Sequence, residues 1–227
     1  VTAIFPVGLI LSAVMLLAVL RLWPSDKAVT WEDRPSGLTF RAALAEMGRP
    51  RIAARVLALG AVTGASTLYM AIISLVMVAE VGRGTKDVAL YVGLVAGLEV
   101  PFMLALPRFT RGIGRPTLIL LGAALYALHV ALLPVLAGSP LVWGLIWPAA
   151  IGGALTLNVP IAYLQDLMAD RPGAGASLTA VQRLAGDVIA ASCFALGTAL
   201  AGYGTVAVLG VAASLIGAAA LWAADRR

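Results

Sequence analysis

Two carboxylates sit where a membrane-crossing helix has its middle. Glu99 lies in Ala96-Gly97-Leu98-Glu99-Val100-Pro101, two residues from the midpoint of an apolar stretch over 88–106; Asp187 lies near the centre of another over 177–201. Two residues of helix are a rise of ~3 Å, so Glu99 is near the bilayer centre. A carboxylate there is expensive, and is therefore protonated, paired or set against water. For Glu99 this points to proton coupling or to binding a polar substrate; the alternative is a neutral, hydrogen-bonded packing contact. Pro101 frees the carbonyl four positions back and predicts a kink beside the carboxyl. Arg183 precedes Asp187 by four residues, on the same helical face, which predicts an ion pair within one helix. A self-paired charge is cheaper to bury, so for Asp187 and Arg183 a structural role stands beside proton coupling, with Arg183 reaching toward the membrane interface.

Other polar groups interrupt the apolar runs. Thr63, Ser66, Thr67, Tyr69 and Ser74 cluster in one stretch beside Gly60 and Gly64. Such hydroxyls either bond back to their own helix or form a wall that hydrogen-bonds a polyol, with Ser66 and Tyr69 the candidates for contact. Asn158 is costly to leave unpaired in lipid and is expected to face the protein interior, against substrate or a neighbouring helix. His129 stands alone on an apolar stretch and reads as a packing histidine. Trp147 reads as lipid-facing or packed, with stacking on a sugar ring as the alternative. Cys193 is the single cysteine, so no intrachain disulfide forms.

The chain carries no HExxH, GxSxG or GxxxxGK[ST], and its one histidine cannot build a zinc site of known type. Its two lysines, Lys27 and Lys86, lie between apolar runs, so no Schiff-base photoreceptor is indicated. The reading is of a non-enzyme with no cofactor and no metal.

The elements that must position these groups are seven apolar stretches, at 2–20, 56–79, 88–106, 117–136, 141–163, 177–201 and 205–224. Each matches the ~20 residues a bilayer core requires. Mean hydropathy is +0.99 and charged residues make up 12%, too little polar surface for a soluble domain. All but two of the sixteen Lys and Arg residues, Arg83 and Lys86, fall in or beside connections on one side. Positive segments resist translocation, so that side is read as cytoplasmic: N-terminus of the chain outside, C-terminus inside, in the plasma membrane. The pI of 9.9 is thereby explained without nucleic acid.

The predicted organisation is a first helix over 1–22, a cytoplasmic connection over 23–55, a six-helix half over 56–224 and a tail over 225–227. In the connection, Phe40, Ala43, Leu44 and Met47 have helical spacing before Gly48 and Pro50 break it, which predicts a short amphipathic helix on the membrane face. Trp23 and Trp222 are predicted at the inner interface, Trp143 and Tyr203 at the outer one. The last six stretches form blocks of similar length that enter from opposite sides, the plan of inverted three-helix repeats. The fold expected is therefore an all-α membrane protein of seven helices, the last six as two inverted repeats.

Three segments, in order and spacing, resemble the sugar efflux transporters of the major facilitator superfamily. They are Ser66-Thr67-Leu68-Tyr69-Met70; Ala96 to Pro101, followed by the basic turn Arg111-Gly112-Ile113-Gly114-Arg115; and Tyr163-Leu164-Gln165-Asp166-Leu167-Met168, followed by a Gly/Ala/Ser-rich turn and Arg183. The likeness covers about residues 60–190. It implies that the first stretch corresponds to the family's sixth helix and the rest to helices seven to twelve, with an N-terminal half preceding them. Export of sugars or glycosides in exchange for protons is implied. Arg111 and Arg115 are expected at the cytoplasmic face, where they either contact acidic groups that latch one conformation or serve as topology signals only. That turn lacks the acidic residue of the general superfamily motif, Ala180 to Arg183 is less polar than the family pattern, and Asp187 matches no family motif. Two alternatives stand beside this reading: a multidrug exporter of the same superfamily, or a non-transporting half-transporter membrane subunit.

Overall fold

In a computed structural model the described residues are 4–22, 45, 48–169 and 172–226, and they are helical throughout, with no strand among them. The chain divides into two units, Val1–Gly37 and Leu38–Arg227. The first contains α1, Ile4–Leu22. The expected amphipathic segment at 40–47 and Trp23 lie outside the described residues, apart from helical Ala45.

The second unit is a bundle of six helices, each long and apolar enough to cross a membrane. They are α2, Pro50–Ser74 continuing through a π-helical stretch Leu75–Glu80; α3, Thr85–Phe109; α4, Arg115–Leu136; α5, Ile146–Leu167, entered through a 3₁₀ stretch Pro140–Leu145; α6, Pro172–Leu200; and α7, Tyr203–Asp225. The helices overrun the apolar stretches. α2 starts at Pro50, a residue suited to the first turn because its missing N–H would have no partner there, so Arg51 and Arg55 are helical rather than part of a loop. α3 stays helical through Pro101 and Pro107. Between α3 and α4 the chain turns at Gly112, whose φ of +81° belongs to the left-handed region open to glycine.

α2 packs along α6 and α7, α5 packs along α3 and α4, and α4 packs on α7. α6 also packs on α7, whereas α3 makes no comparable contact with α4. Lipid offers no hydrophobic drive for these pairings, so close backbone approach through small residues has to supply them. A Cβ on Gly64 would stand 2.9 Å from the Gly186 carbonyl oxygen and one on Gly152 only 2.7 Å from the Tyr126 nitrogen. The crossings of α2 with α6 and of α4 with α5 are therefore backbone against backbone. The apolar core falls into two clusters, one around Leu68, Ile72, Tyr91, Val130 and Ala149, the other around Leu59, Ile119, Leu155, Leu164 and Leu221. The break between them, near Thr63 on α2 and Gly152 and Gly153 on α5, is the level of the glycine crossings and of the polar side chains.

The bundle's ends are tied by polar groups. At the arginine-rich end, Asp225 accepts from Arg55 at 2.7 and 3.0 Å and from the Tyr163 hydroxyl at 2.6 Å, joining α7 to α2 and α5. Arg115 pairs with Asp166 and donates to the Ala162 carbonyl, joining α4 to α5. At the other end Arg83 donates to the carbonyls of Ala137 and Ser139. Trp222 lies under the Arg226 guanidinium, 3.5 Å from the ring centroid.

Candidate functional site

The hydroxyl-bearing turn of α2, the middle of α5 and the middle of α6 line a groove of about 160 Å³. α2 brings Thr63, Ser66 and Thr67, α5 brings Thr156, Pro160 and Ile161, and α6 brings Thr179, Gln182, Arg183 and Asp187. The hydroxyls repeat at the three- and four-residue spacing of one helical face, which is why they meet in one groove. Gly60, Gly64 and Gly186 draw α2 and α6 together and set the distance across it.

Both modes of hydroxyl bonding occur. Thr63 donates to the Leu59 and Gly60 carbonyls of its own helix at 3.2 Å, and its oxygen also accepts from the Gln182 amide at 2.8 Å. Thr67 donates across the groove to Asp187 at 3.0 Å. The predicted Arg183–Asp187 pair is therefore replaced: among the described residues Asp187 takes its hydrogen bond from α2, and no ion pair joins it to Arg183. Arg before an acid at four-residue spacing is the weaker orientation of such pairs. The crossing at Gly64 and Gly186 brings Thr67 within reach first. Arg183 remains exposed on the groove wall, so the groove carries both signs of charge.

Glu99 lies where α3 packs on α5, outside the groove lining. Its carboxyl fills the space over Gly153, where any Cβ would collide with it. Sequence reasoning isolated Glu99 correctly as a mid-helix carboxyl; it gave no sign that Gly153 makes room for it.

Tyr69 is buried, with 3% of its surface exposed, and belongs to an aromatic cluster rather than to the groove lining. Its ring meets Tyr126 edge-on at 6.1 Å and His129 at 4.8 Å. Ser66 does line the groove, and it accepts from the Tyr126 hydroxyl at 3.5 Å. Asn158 corrects an expectation. It is exposed rather than turned inward, and its amide donates to the Ala154 carbonyl at 2.8 Å. Bonding back to its own helix satisfies one donor without any neighbouring helix. Trp147 is exposed, with an edge-on contact to Phe102.

Arg111 is exposed in the turn after α3, while Arg115, at the start of α4, is half-buried against Asp166. Four site features escaped sequence reasoning: Gln182, and the tying roles of Tyr163, Asp166 and Asp225. The polar residues inside the Tyr163–Met168 segment were the available signal. Among the described residues no three His, Cys, Asp or Glu side chains come together as a metal site would require.

No family model matches the chain, and neither a curated protein nor a solved structure does.

Proposed function

We propose that this chain is one half of a proton-coupled exporter of sugars or sugar-like compounds, built on the major facilitator plan and working by alternating access. The observation that carries the reading is the groove. Five hydroxyls, an amide and opposite charges converge at the middle of helices that are otherwise apolar. Polar groups are costly at that depth and mark substrate and ion paths in membrane proteins. Sugars need many neutral donors and acceptors, which the threonines, Ser66 and Gln182 supply.

The helix pairing supports the fold reading. Exchanging α2 with α5, α3 with α6 and α4 with α7 turns the α2–α6 contact into α5–α3 and α2–α7 into α5–α4, and leaves α4–α7 unchanged, while the α6–α7 packing has no α3–α4 counterpart. Inverted three-helix repeats exchange contacts in this way. Asp187 and Glu99 then stand on exchanged helices, α6 and α3. Those two helices are also the least buried of the six, as expected if their open faces meet a second six-helix half and enclose the groove between halves. The end carrying Arg55, Arg115 and Arg226 faces the cytoplasm in this reading, and Arg115–Asp166 is the contact that holds or releases one conformation.

In the proposed cycle Glu99 takes a proton from outside and gives it up inside as access switches, and Asp187 with Thr67 forms the groove's acidic wall. The test uses the full gene product in proteoliposomes with an imposed pH gradient and a radiolabelled disaccharide. Glu99→Gln keeps shape and much hydrogen bonding while removing titration. It should abolish uphill efflux and leave downhill exchange largely intact. Uphill efflux at the wild-type rate in Glu99→Gln would reduce Glu99 to a packing residue. Efflux of lipophilic cations but not of disaccharide would replace the sugar reading by multidrug export.

A further inference from the structure

Almost every threonine proton in the groove is already committed. Thr63 donates to the Leu59 and Gly60 carbonyls, Thr156 to those of Gly152 and Gly153, and Thr179 to that of Gly175, each within its own helix. Thr67 donates to Asp187 across the groove. A hydroxyl that has given its proton away still has lone pairs to offer, so these side chains turn acceptors, not donors, toward a ligand. Thr156 is buried, which leaves Thr63, Thr67 and Thr179 as the accessible oxygens. Gln182, with 4% of its surface exposed, spends an amide proton on Thr63. Ser66 accepts from Tyr126 and keeps its own proton. The wall built by α2, α5 and α6 is therefore rich in acceptors and poor in donors.

Arg183 is the exception. It lines the groove, is exposed there, and stands less than a turn from the middle of α6. Its guanidinium is a fork of N–H donors, and no ion pair or hydrogen bond joins it to any described residue. Asp187, on the same helical face, is served by Thr67, so Arg183 is the charge lining the groove that has no partner among the described residues. A charge that deep in a membrane helix marks a path for substrate or ions, and the planar fork matches a carboxylate through parallel bonds. We propose that the groove binds a sugar acid, its carboxylate on Arg183 and its hydroxyls donating to Thr63, Thr67, Thr179 and Asp187. The hydroxyls bring the protons that the wall lacks, and the carboxylate takes those that Arg183 has to give. Charge favours a carboxylate over a phosphate ester, which carries about −1.5 to −2 at neutral pH, more than one guanidinium offsets with Asp187 a turn away. The groove's volume of about 160 Å³ is the share of about five waters, enough for a single ring. The proposal rests on the reading of the groove as a sugar site and goes beyond it by giving the sugar a charge.

The test is calorimetric. The full gene product in phosphatidylcholine nanodiscs is titrated with sodium D-glucuronate, D-glucose and D-glucose 6-phosphate at one fixed salt concentration. Hydrogen bonds to a charged group are strong enough that glucuronate should bind about tenfold tighter than glucose, or more, and tighter than the phosphate ester. Arg183→Gln should lower glucuronate affinity about tenfold and leave glucose within about twofold. Arg183→Lys, a point charge without the fork, should fall between. Glucuronate bound no tighter than glucose by the wild type would overturn the proposal with no variant needed. So would an Arg183→Gln protein that loses both ligands alike, since Arg183 would then be supporting the fold, or one that keeps full glucuronate affinity, since the guanidinium would then serve a lipid phosphate or an acid elsewhere. Glucose 6-phosphate as the tightest ligand would overturn the carboxylate assignment. Binding is read apart from transport: glucuronate bound without proton-driven efflux sinks the export reading alone. Proton-driven efflux of neutral disaccharide with no preference for glucuronate sinks the sugar-acid assignment alone.

Discussion

Asp225 is the last residue of α7, where the partial negative charge of a helix C-terminus disfavours an acid. It is held there by two bonds from Arg55 and one from Tyr163, at 2.7, 3.0 and 2.6 Å. Asp225→Ala removes all three and leaves Arg55 and Tyr163 without their partner. A hydrogen bond to a charged group contributes about 1.5–3 kcal/mol when sheltered. The Arg55 and Asp225 side chains keep 23% and 19% of their surface exposed, so water recovers part of the loss, and the whole network should be worth about 2–3 kcal/mol. For a chain of this size that corresponds to a fall in Tm of roughly 4–10 °C. Cys193, the single cysteine and half-buried on α6, supplies the assay: a dye that fluoresces on reacting with a thiol reports its exposure as detergent-solubilised protein is heated. Arg55→Leu should cost a similar amount, and the double variant less than the sum, because both single changes remove the same Arg55–Asp225 interaction. A Tm for Asp225→Ala within about a degree of wild type, or strict additivity, would refute the reasoning, since solvent would then replace the network at no cost.

Gly64→Val sets a Cβ 2.9 Å from the Gly186 carbonyl oxygen, where only backbone movement relieves the clash, so it should cost about 1–3 kcal/mol and expose Cys193 to the same dye at lower temperature. Gly112→Val places a β-branched residue at φ +81° and should lower stability by about 1–2 kcal/mol, whereas Gly114→Ala, at φ −63°, should leave the Tm near wild type. Arg115→Gln removes the contacts with Asp166 and the Ala162 carbonyl, so hydrogen exchange at 160–168 should quicken; Arg111→Gln, in the exposed turn, should leave it unchanged.

Hydropathy and length determined the six crossing helices of the bundle, because a backbone surrounded by lipid can bond only within its own helix. They also marked Glu99 and Asp187 as mid-helix charges, and glycine between Arg111 and Arg115 as a turn. Local pattern misjudged the ends, since α2 and α3 extend past their apolar stretches into residues that suit an interface rather than a bilayer core. What each polar group touches was decided by tertiary structure. The spacing of Arg183 and Asp187 indicated a pair, yet Asp187 meets Thr67, 120 residues away in sequence, because Gly64 and Gly186 let two backbones approach. Asn158 looked too polar for anything but the interior, yet it is exposed and bonds back to the Ala154 carbonyl of its own helix. His129 read as a lone packing residue and is ringed by Tyr69, Tyr91 and Tyr126, drawn from α2, α3 and α4. Periodicity reports which face of a helix differs from the others. Which faces meet is fixed by small residues that interlock only when distant segments are brought together.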